Sequence, residues 1–304
     1  MEAHLRELTD LVVRWVHLIA GIMWIGNSLL FNWLDRNLEK PKGAKPGYDG
    51  KIWLLHSGGF YEVEKKLLEP SQMPTNLHWF KWQNFSSWFS GILLLLVVYY
   101  GSKGALLVDA SVKNLSVPIA MTVGLGSIVV SWVYYDFLWS SPLGKRPRLA
   151  AALSLLYFAG LAYALTHLLS GRAAYIHVGV ILGTLMTGNV WFVIIPSQKE
   201  LVAATTEDRA QDAAIGYRAK VRSIHNNYMT FPLLFMMVSN HFPSTYGNKL
   251  GWILLVVIAL GGATIRHLMN IRFTTPGWFP WAAAVALTTV AVVYVMTKPA
   301  DVPV

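Results

Sequence analysis

Nine histidines stand in an otherwise weakly polar chain, and they are the side chains best suited to chemistry. Imidazole titrates near neutral pH and ligates metals. His17 and His177 form the sharpest pair. Each sits early in a long apolar segment, in the strings Trp15-Val16-His17 and Tyr175-Ile176-His177. Small residues flank both, Ala20 and Gly21 on one side, Gly179 and Gly183 on the other. Two neutral imidazoles facing each other across a helix bundle can take both axial positions of a haem b iron, with glycines leaving room for the flat macrocycle. Arg14, about one turn before His17, is placed to pair with a propionate. His241 is an alternative member of this outer site. The same residues also allow a plainer reading, in which each imidazole hydrogen-bonds a neighbouring helix or reaches the membrane interface.

A second constellation lies nearer the opposite face. The string Arg222-Ser223-Ile224-His225-Asn226-Asn227-Tyr228-Met229-Thr230 packs donors and acceptors at a helix start, where free backbone N–H groups favour an anion. Arg266 and His267 can face it from another segment. His78-Trp79-Phe80-Lys81-Trp82 adds aromatic faces for a planar ligand. In this reading Arg222, Asn226, Asn227, Tyr228, Arg266, His78 and Trp82 bind substrate, and His225 or His267 moves a proton; alternatively His225 and His267 are the ligands of a second haem b that bridges the two sites. The alternative is that these groups cap helices and anchor them at headgroup level. Asp136 is expected to pair with Arg266 or Lys145.

These residues must be positioned by membrane helices. Of 304 residues, 54% are hydrophobic and only 13% charged, about half the charge share of a soluble chain. Eight apolar segments, near 10–33, 84–107, 117–139, 149–169, 174–196, 225–241, 250–271 and 278–297, are each about long enough to span the bilayer. In lipid they read as helices, because each backbone polar group needs an internal partner. The first is too long for a signal-peptide core and stays as a helix. Pro232 interrupts the sixth. The expected fold is an all-α integral membrane protein, one domain over 1–304, with two weakly similar four-helix halves meeting near 170. Gly26-Asn27 and Gly188-Asn189 follow the two histidines at ten and twelve residues, which supports the duplication. The absence of cysteine excludes disulfides, thiolate metal sites, iron–sulfur clusters and covalent haem c within this chain.

With the N-terminus on one side, eight spans place seven Lys and Arg there and eighteen opposite. The basic side is therefore expected in the cytoplasm, with both termini periplasmic in a bacterial inner membrane. The net charge of +9 then reflects orientation rather than a nucleic-acid partner. Two cytoplasmic connections are long. Residues 34–83 hold a pattern of two short strands, from Ile52 to Glu64, around a Ser-Gly-Gly turn. Residues 197–223 read as a helix on the membrane surface. Residues 298–304 look like the start of a linker.

Several strings carry a family likeness: His56-Ser-Gly-Gly-Phe-Tyr61, His78-Trp-Phe-Lys-Trp82, Ser141-Pro-Leu-Gly144, His177-x-Gly-x-x-x-Gly183, His225-Asn-Asn-Tyr228, Ser239-Asn-His-x-Pro243 and Arg266-His267. In this order they resemble the membrane domain of the bacterial urate hydroxylases, integral-membrane urate oxidases that end in a cytochrome c domain. Separately, His17-Leu-Ile-Ala-Gly21-x-x-Trp24-x-Gly26 is similar to the first helix of small membrane haem proteins such as the bacterial protoporphyrinogen oxidase. The resemblance implies oxidation of urate to 5-hydroxyisourate, with water as oxygen source and electrons passed to a cytochrome c. No Cys-x-x-Cys-His is present, so that acceptor is expected to be a trimmed domain or a separate protein. A secondary transporter of purines or organic anions, using duplicated halves and a broken sixth helix, is the competing class. A haem b electron-transfer subunit without its own substrate is the third.

Overall fold

A computed structural model describes residues 3–298. Residues 299–304, most of the expected linker, lie outside the described residues. The chain forms α1 (Ala3–Asn37), a hairpin of β1 (Tyr48–His56) and β2 (Gly59–Lys66), α2 (Trp82–Leu94), α3 (Val117–Ser140) and α4 (Pro147–Leu168). It continues with α5 (Gly171–Gly188), α6 (Ile195–Thr206), α7 (Ala213–Val238), the single turn α8 (Pro243–Tyr246), α9 (Gly251–Ile271) and α10 (Trp278–Thr297). Two π-helical stretches extend these rods. One carries α2 on through Leu95–Tyr100, and the other, Asn189–Ile194, joins α5 to α6.

Eight long rods result, of which six among the described residues are long and apolar enough to cross a membrane. The Trp82–Tyr100 rod and α7 fall outside that set because polar residues crowd their ends nearest the hairpin. These are Gln83, Asn84, Ser86 and Ser87 on one, and Arg222, Ser223, Asn226 and Asn227 on the other. Proline opens α3, α4 and α8, where its missing N–H has no helical partner to lose. Within the rods, Ser90, Thr122, Ser131 and Thr166 bond back to the carbonyl four residues earlier, so their hydroxyls need no outside partner. Pro232 does not break α7. Gly262 of α9 lets that helix lie close against Phe231 and Pro232.

The α5–α6 rod is the axis of the bundle and is mostly buried, while α1 and α10 are almost wholly exposed on its outside. Exposed Leu, Val, Ile and Phe on those outer helices face lipid rather than water. At one end the hairpin closes with Ser57 and Gly58 both at positive φ, 50° and 76°. This is the two-residue turn that matches strand twist, and only glycine takes its second position without strain. Lys65 bonds Asp35 at 2.7 Å and ties the hairpin to the end of α1. The strands extend beyond the expected Ile52–Glu64. The second long connection differs from expectation. Rather than one helix lying on the surface, α6 and the start of α7 prolong two spanning rods, joined by a short turn at Glu207–Asp212.

Helix contact is tightest at Gly171, where an added Cβ would run into the carbonyl of Tyr246. Gly171→Ala is expected to cost about 1–3 kcal/mol and to lower the melting temperature in detergent. Gly126→Ala, which meets nothing within 4 Å, leaves it unchanged.

Candidate active site

The polar string on α7 is split by helical geometry. Successive residues point about 100° apart, so its members reach different neighbours. Arg222 turns to α3 and bonds the Asp136 carboxylate at 2.7 Å and the Ser140 hydroxyl at 3.1 Å. Its guanidinium lies 4.7 Å over the Tyr135 ring, and the residue is 1% exposed. Asp136 therefore pairs with Arg222, not with Arg266 or Lys145, and the Arg222 charge expected to bind substrate is already neutralised. Beside it, Asn189 donates to the Tyr135 hydroxyl at 2.9 Å and to Asn226 at 2.8 Å, and Asn226 donates to the Met186 carbonyl. Asn226 is thus a strut between α5 and α7 rather than a free recognition group.

Asn227 faces the other way. Its carbonyl oxygen accepts from Arg266 Nε at 3.1 Å and from Asn270 at 2.7 Å, both on α9. Arg266 is 2% exposed and has no carboxylate partner among the described residues. The charges within electrostatic reach are Arg36 and Arg272, both positive. Asn270 Oδ1 is buried without a partner, as is Gln83 Oε1. A buried guanidinium whose only ionic neighbours repel it is a site that gains most from an anion.

His17 lines a cavity of about 440 Å³ together with Gly21, Gly26, Gly91, Gly179 and Gly183. Its Nδ1 donates to the Ser87 carbonyl at 2.9 Å, which leaves Nε2 as the acceptor. A Cβ at Gly91 would come within 3.0 Å of the imidazole, and one at Gly26 would meet nothing. The expected trio of His17, Gly21 and Gly179 is brought together. Leu233, Leu234 and Met237 of α7 form the facing wall, on the helical stripe that begins at Asn227.

His177 is not in this cavity. Its Nε2 meets the Tyr100 hydroxyl at 2.9 Å, its Nδ1 bonds the Ala173 carbonyl at 2.8 Å, and it is fully buried. His17 sits at the level of Ser87 and Gly91, nine residues or more along the α2 rod from Tyr100. That is roughly 13 Å of helix, so the two rings expected to share one iron contact different stretches of the α2 rod. The duplication equated their sequence positions but not their neighbours. Other expected members stand apart too. Arg14 pairs with Asp10 on its own exposed helix face. His241 and His78 are exposed, and Trp82 is 59% exposed against Phe85 and Trp191.

His225 and His267 line a second cavity of about 620 Å³. The Tyr135 hydroxyl meets His225 Nδ1 at 2.8 Å, and the Tyr228 hydroxyl meets His267 Nδ1 at 2.7 Å. They lie across the α7–α9 seam from Asn227 and Arg266, not beside them. Sequence reasoning did not single out Gly91 or Asn270. A glycine beneath an imidazole and an asparagine one turn beyond an arginine in an apolar helix were the signals available.

Fold and site together define an all-α membrane protein with buried polar sites inside an apolar body. The chain belongs to the Urate oxidase N-terminal family, which matches residues 3–297, nearly everything described. That agrees with the resemblance carried by the string around His225, and the family's description points to urate oxidation. No curated protein and no solved structure matches the chain.

The ion pair on α3 and the free arginine on α9 predict different behaviour. Asp136→Ala leaves Arg222 buried and unpaired. Because the carboxylate is 42% exposed, the cost is expected nearer ~1–2 kcal/mol than the ~3–5 kcal/mol of a fully buried pair. A thermal melt should register that loss, while the affinity for an anionic ligand stays unchanged.

Proposed function

We propose that this chain is the membrane part of a urate hydroxylase, with all eight rods crossing the bilayer and the hairpin end in the cytoplasm. The observation that carries the reading is Arg266, buried without a counter-charge and oriented by Asn227. Urate is a planar anion made in the cytoplasm. Its oxygens accept charge-assisted bonds from the guanidinium terminal nitrogens, whose planar fork suits adjacent acceptors. Asn270 Oδ1 and Gln83 Oε1 are buried acceptors available to purine N–H groups. Arg36 and Arg272 raise the local potential and draw the anion in.

The reaction adds a water-derived hydroxyl at C5 and releases two electrons and two protons. His267, next in sequence to Arg266 but on the other side of the seam, is held by Tyr228 and is the proposed group to which the released protons are passed on. His225, on the same side as His267, remains a candidate for the same role.

The His17 cavity fits a haem b. One imidazole nitrogen is fixed by a carbonyl, the other is free, and five glycines leave a flat apolar slot. When bound there, the group would supply one-electron transfer toward a cytochrome c on the periplasmic side. His17 would hold the iron. His177, with both nitrogens engaged, would serve to pack α2, α3 and α5. An unbroken α7 removes the broken helix that favoured a transporter.

Two measurements test this. Urate oxidation by the purified protein, followed anaerobically with ferricyanide or cytochrome c, should fall about 10–100-fold in kcat/KM for Arg266→Met, as expected for losing a charged hydrogen bond; an unchanged value removes urate from this site. Absorption spectra should show a Soret band that is lost in His17→Ala and kept in His177→Ala. Loss in the second variant alone would relocate the iron.

A further inference from the structure

The second cavity is unsuited to urate, yet it is well formed. Its walls are Leu155, Phe158 and Leu161 of α4, Leu182 and Leu185 of α5, and Leu260 of α9. Leu155, Ile224 and Leu260 line it while remaining exposed on the lipid-facing surface, so it opens sideways into the bilayer. Its polar lining includes His225 and His267 together with Tyr135, Tyr228, Ser131 and Tyr157.

The hydrogen-bond network fixes what His225 offers. The Tyr135 hydroxyl is approached by the Asn189 amide N–H as donor, and His225 Nδ1 is the neighbour able to accept its own proton. The neutral ring then carries its hydrogen on Nε2, a donor rather than a metal ligand. Trp139 lies against the same ring at 4.0 Å between centroids and supplies a flat aromatic wall. A long apolar chamber open to lipid, with an N–H donor and aromatic faces in its lining, matches a membrane quinone. The headgroup carbonyl would accept from His225, and the isoprenoid tail would leave between α4 and α9.

We propose that this cavity is a quinone site, a second electron outlet for urate oxidation beside the route through the His17 cavity to a cytochrome c. The inference rests on the urate reading for its electron donor. Asn227 and Tyr228, like Arg266 and His267, are adjacent residues on opposite sides of the α7–α9 seam. The two sites therefore lie back to back, separated by about one helix diameter, roughly 10 Å. Urate loses two electrons and two protons as water oxygen bonds to C5. The quinone gains two electrons and two protons and becomes the quinol. His225 through Tyr135, and His267 through Tyr228, are the groups that exchange protons at the headgroup.

The test adds a short-chain ubiquinone to the detergent-purified protein under anaerobic conditions. Quinone binding is measured directly by equilibrium dialysis, and turnover by loss of urate and appearance of quinol. One quinol per urate is expected. Ala151→Trp, which blocks the chamber from α4, should weaken quinone binding and slow quinone-dependent turnover at least tenfold. Ferricyanide-supported urate oxidation should be unchanged in that variant and so reports its folding; Leu155→Trp is the second variant should the first not fold. Quinone that binds in an Ala151-sensitive way without any urate oxidation supports the site and removes the urate reading. Urate oxidation with ferricyanide but no quinone binding, or quinone turnover indifferent to both substitutions, overturns the inference. So does a Soret band lost in His225→Phe, which would put a haem in this chamber.

Discussion

Polar groups inside an apolar body must find partners there, and the arrangement of α3, α5, α7 and α9 follows from how they do so. The unit is a connected set: Asp136 and Ser140 hold Arg222, Tyr135 lies under its guanidinium, and Asn189 bridges Tyr135 to Asn226. The bonds among the buried members, Asn189, Asn226 and Tyr135, are strong because little water competes for them. Each would be costly to leave unmade. The set therefore fixes the rotation of α7 about its axis, and that rotation decides which residues face which cavity.

Rotation is what separates Arg222 from Arg266. Both guanidiniums are almost completely buried, but one has a carboxylate at contact distance and the other has an amide oxygen and two like charges nearby. A paired buried arginine is a structural element, since its partner already cancels the field. An unpaired one keeps a field directed at whatever enters. The asymmetry gives the two faces of the α7–α9 seam distinct characters, a buried guanidinium without a carboxylate on one and an apolar chamber lined by imidazole on the other.

Much of this was legible in the sequence, for physical reasons that also mark where it stopped being so. Hydropathy located the eight rods, because lipid allows few alternatives to a helix. The Ser-Gly-Gly string located the hairpin, since positive φ at its turn narrows the choice of residues. The grouping of His17 with Gly21 and Gly179 was visible as small residues near an imidazole. Position along the neighbouring rod was not visible. Pairing His17 with His177 assumed a shared stretch from similar flanking residues, and only the packing of α2 against α1 and α5 sets which stretch each one meets. Azimuth was not visible either. Arg222, Asn226 and Asn227 are close in sequence, yet they serve an ion pair with α3, a strut to α5 and the orientation of Arg266 on α9.

The chamber beside His225 shows how the same constraint that stabilises the bundle also prepares a site. Asn189 needs acceptors because it is fully buried, and one of those it finds is the Tyr135 hydroxyl. With that donor on its oxygen, the tyrosine gives its own proton to His225 Nδ1, and the neutral ring then presents N–H at its far side. A buried amide that touches no ligand thus favours the tautomer. Substituting Asn189 would therefore free the Tyr135 hydroxyl to act as an acceptor from His225, and the imidazole could then turn a bare nitrogen to the chamber. A donor suited to a carbonyl oxygen would become a base, although Asn189 never touches the ligand.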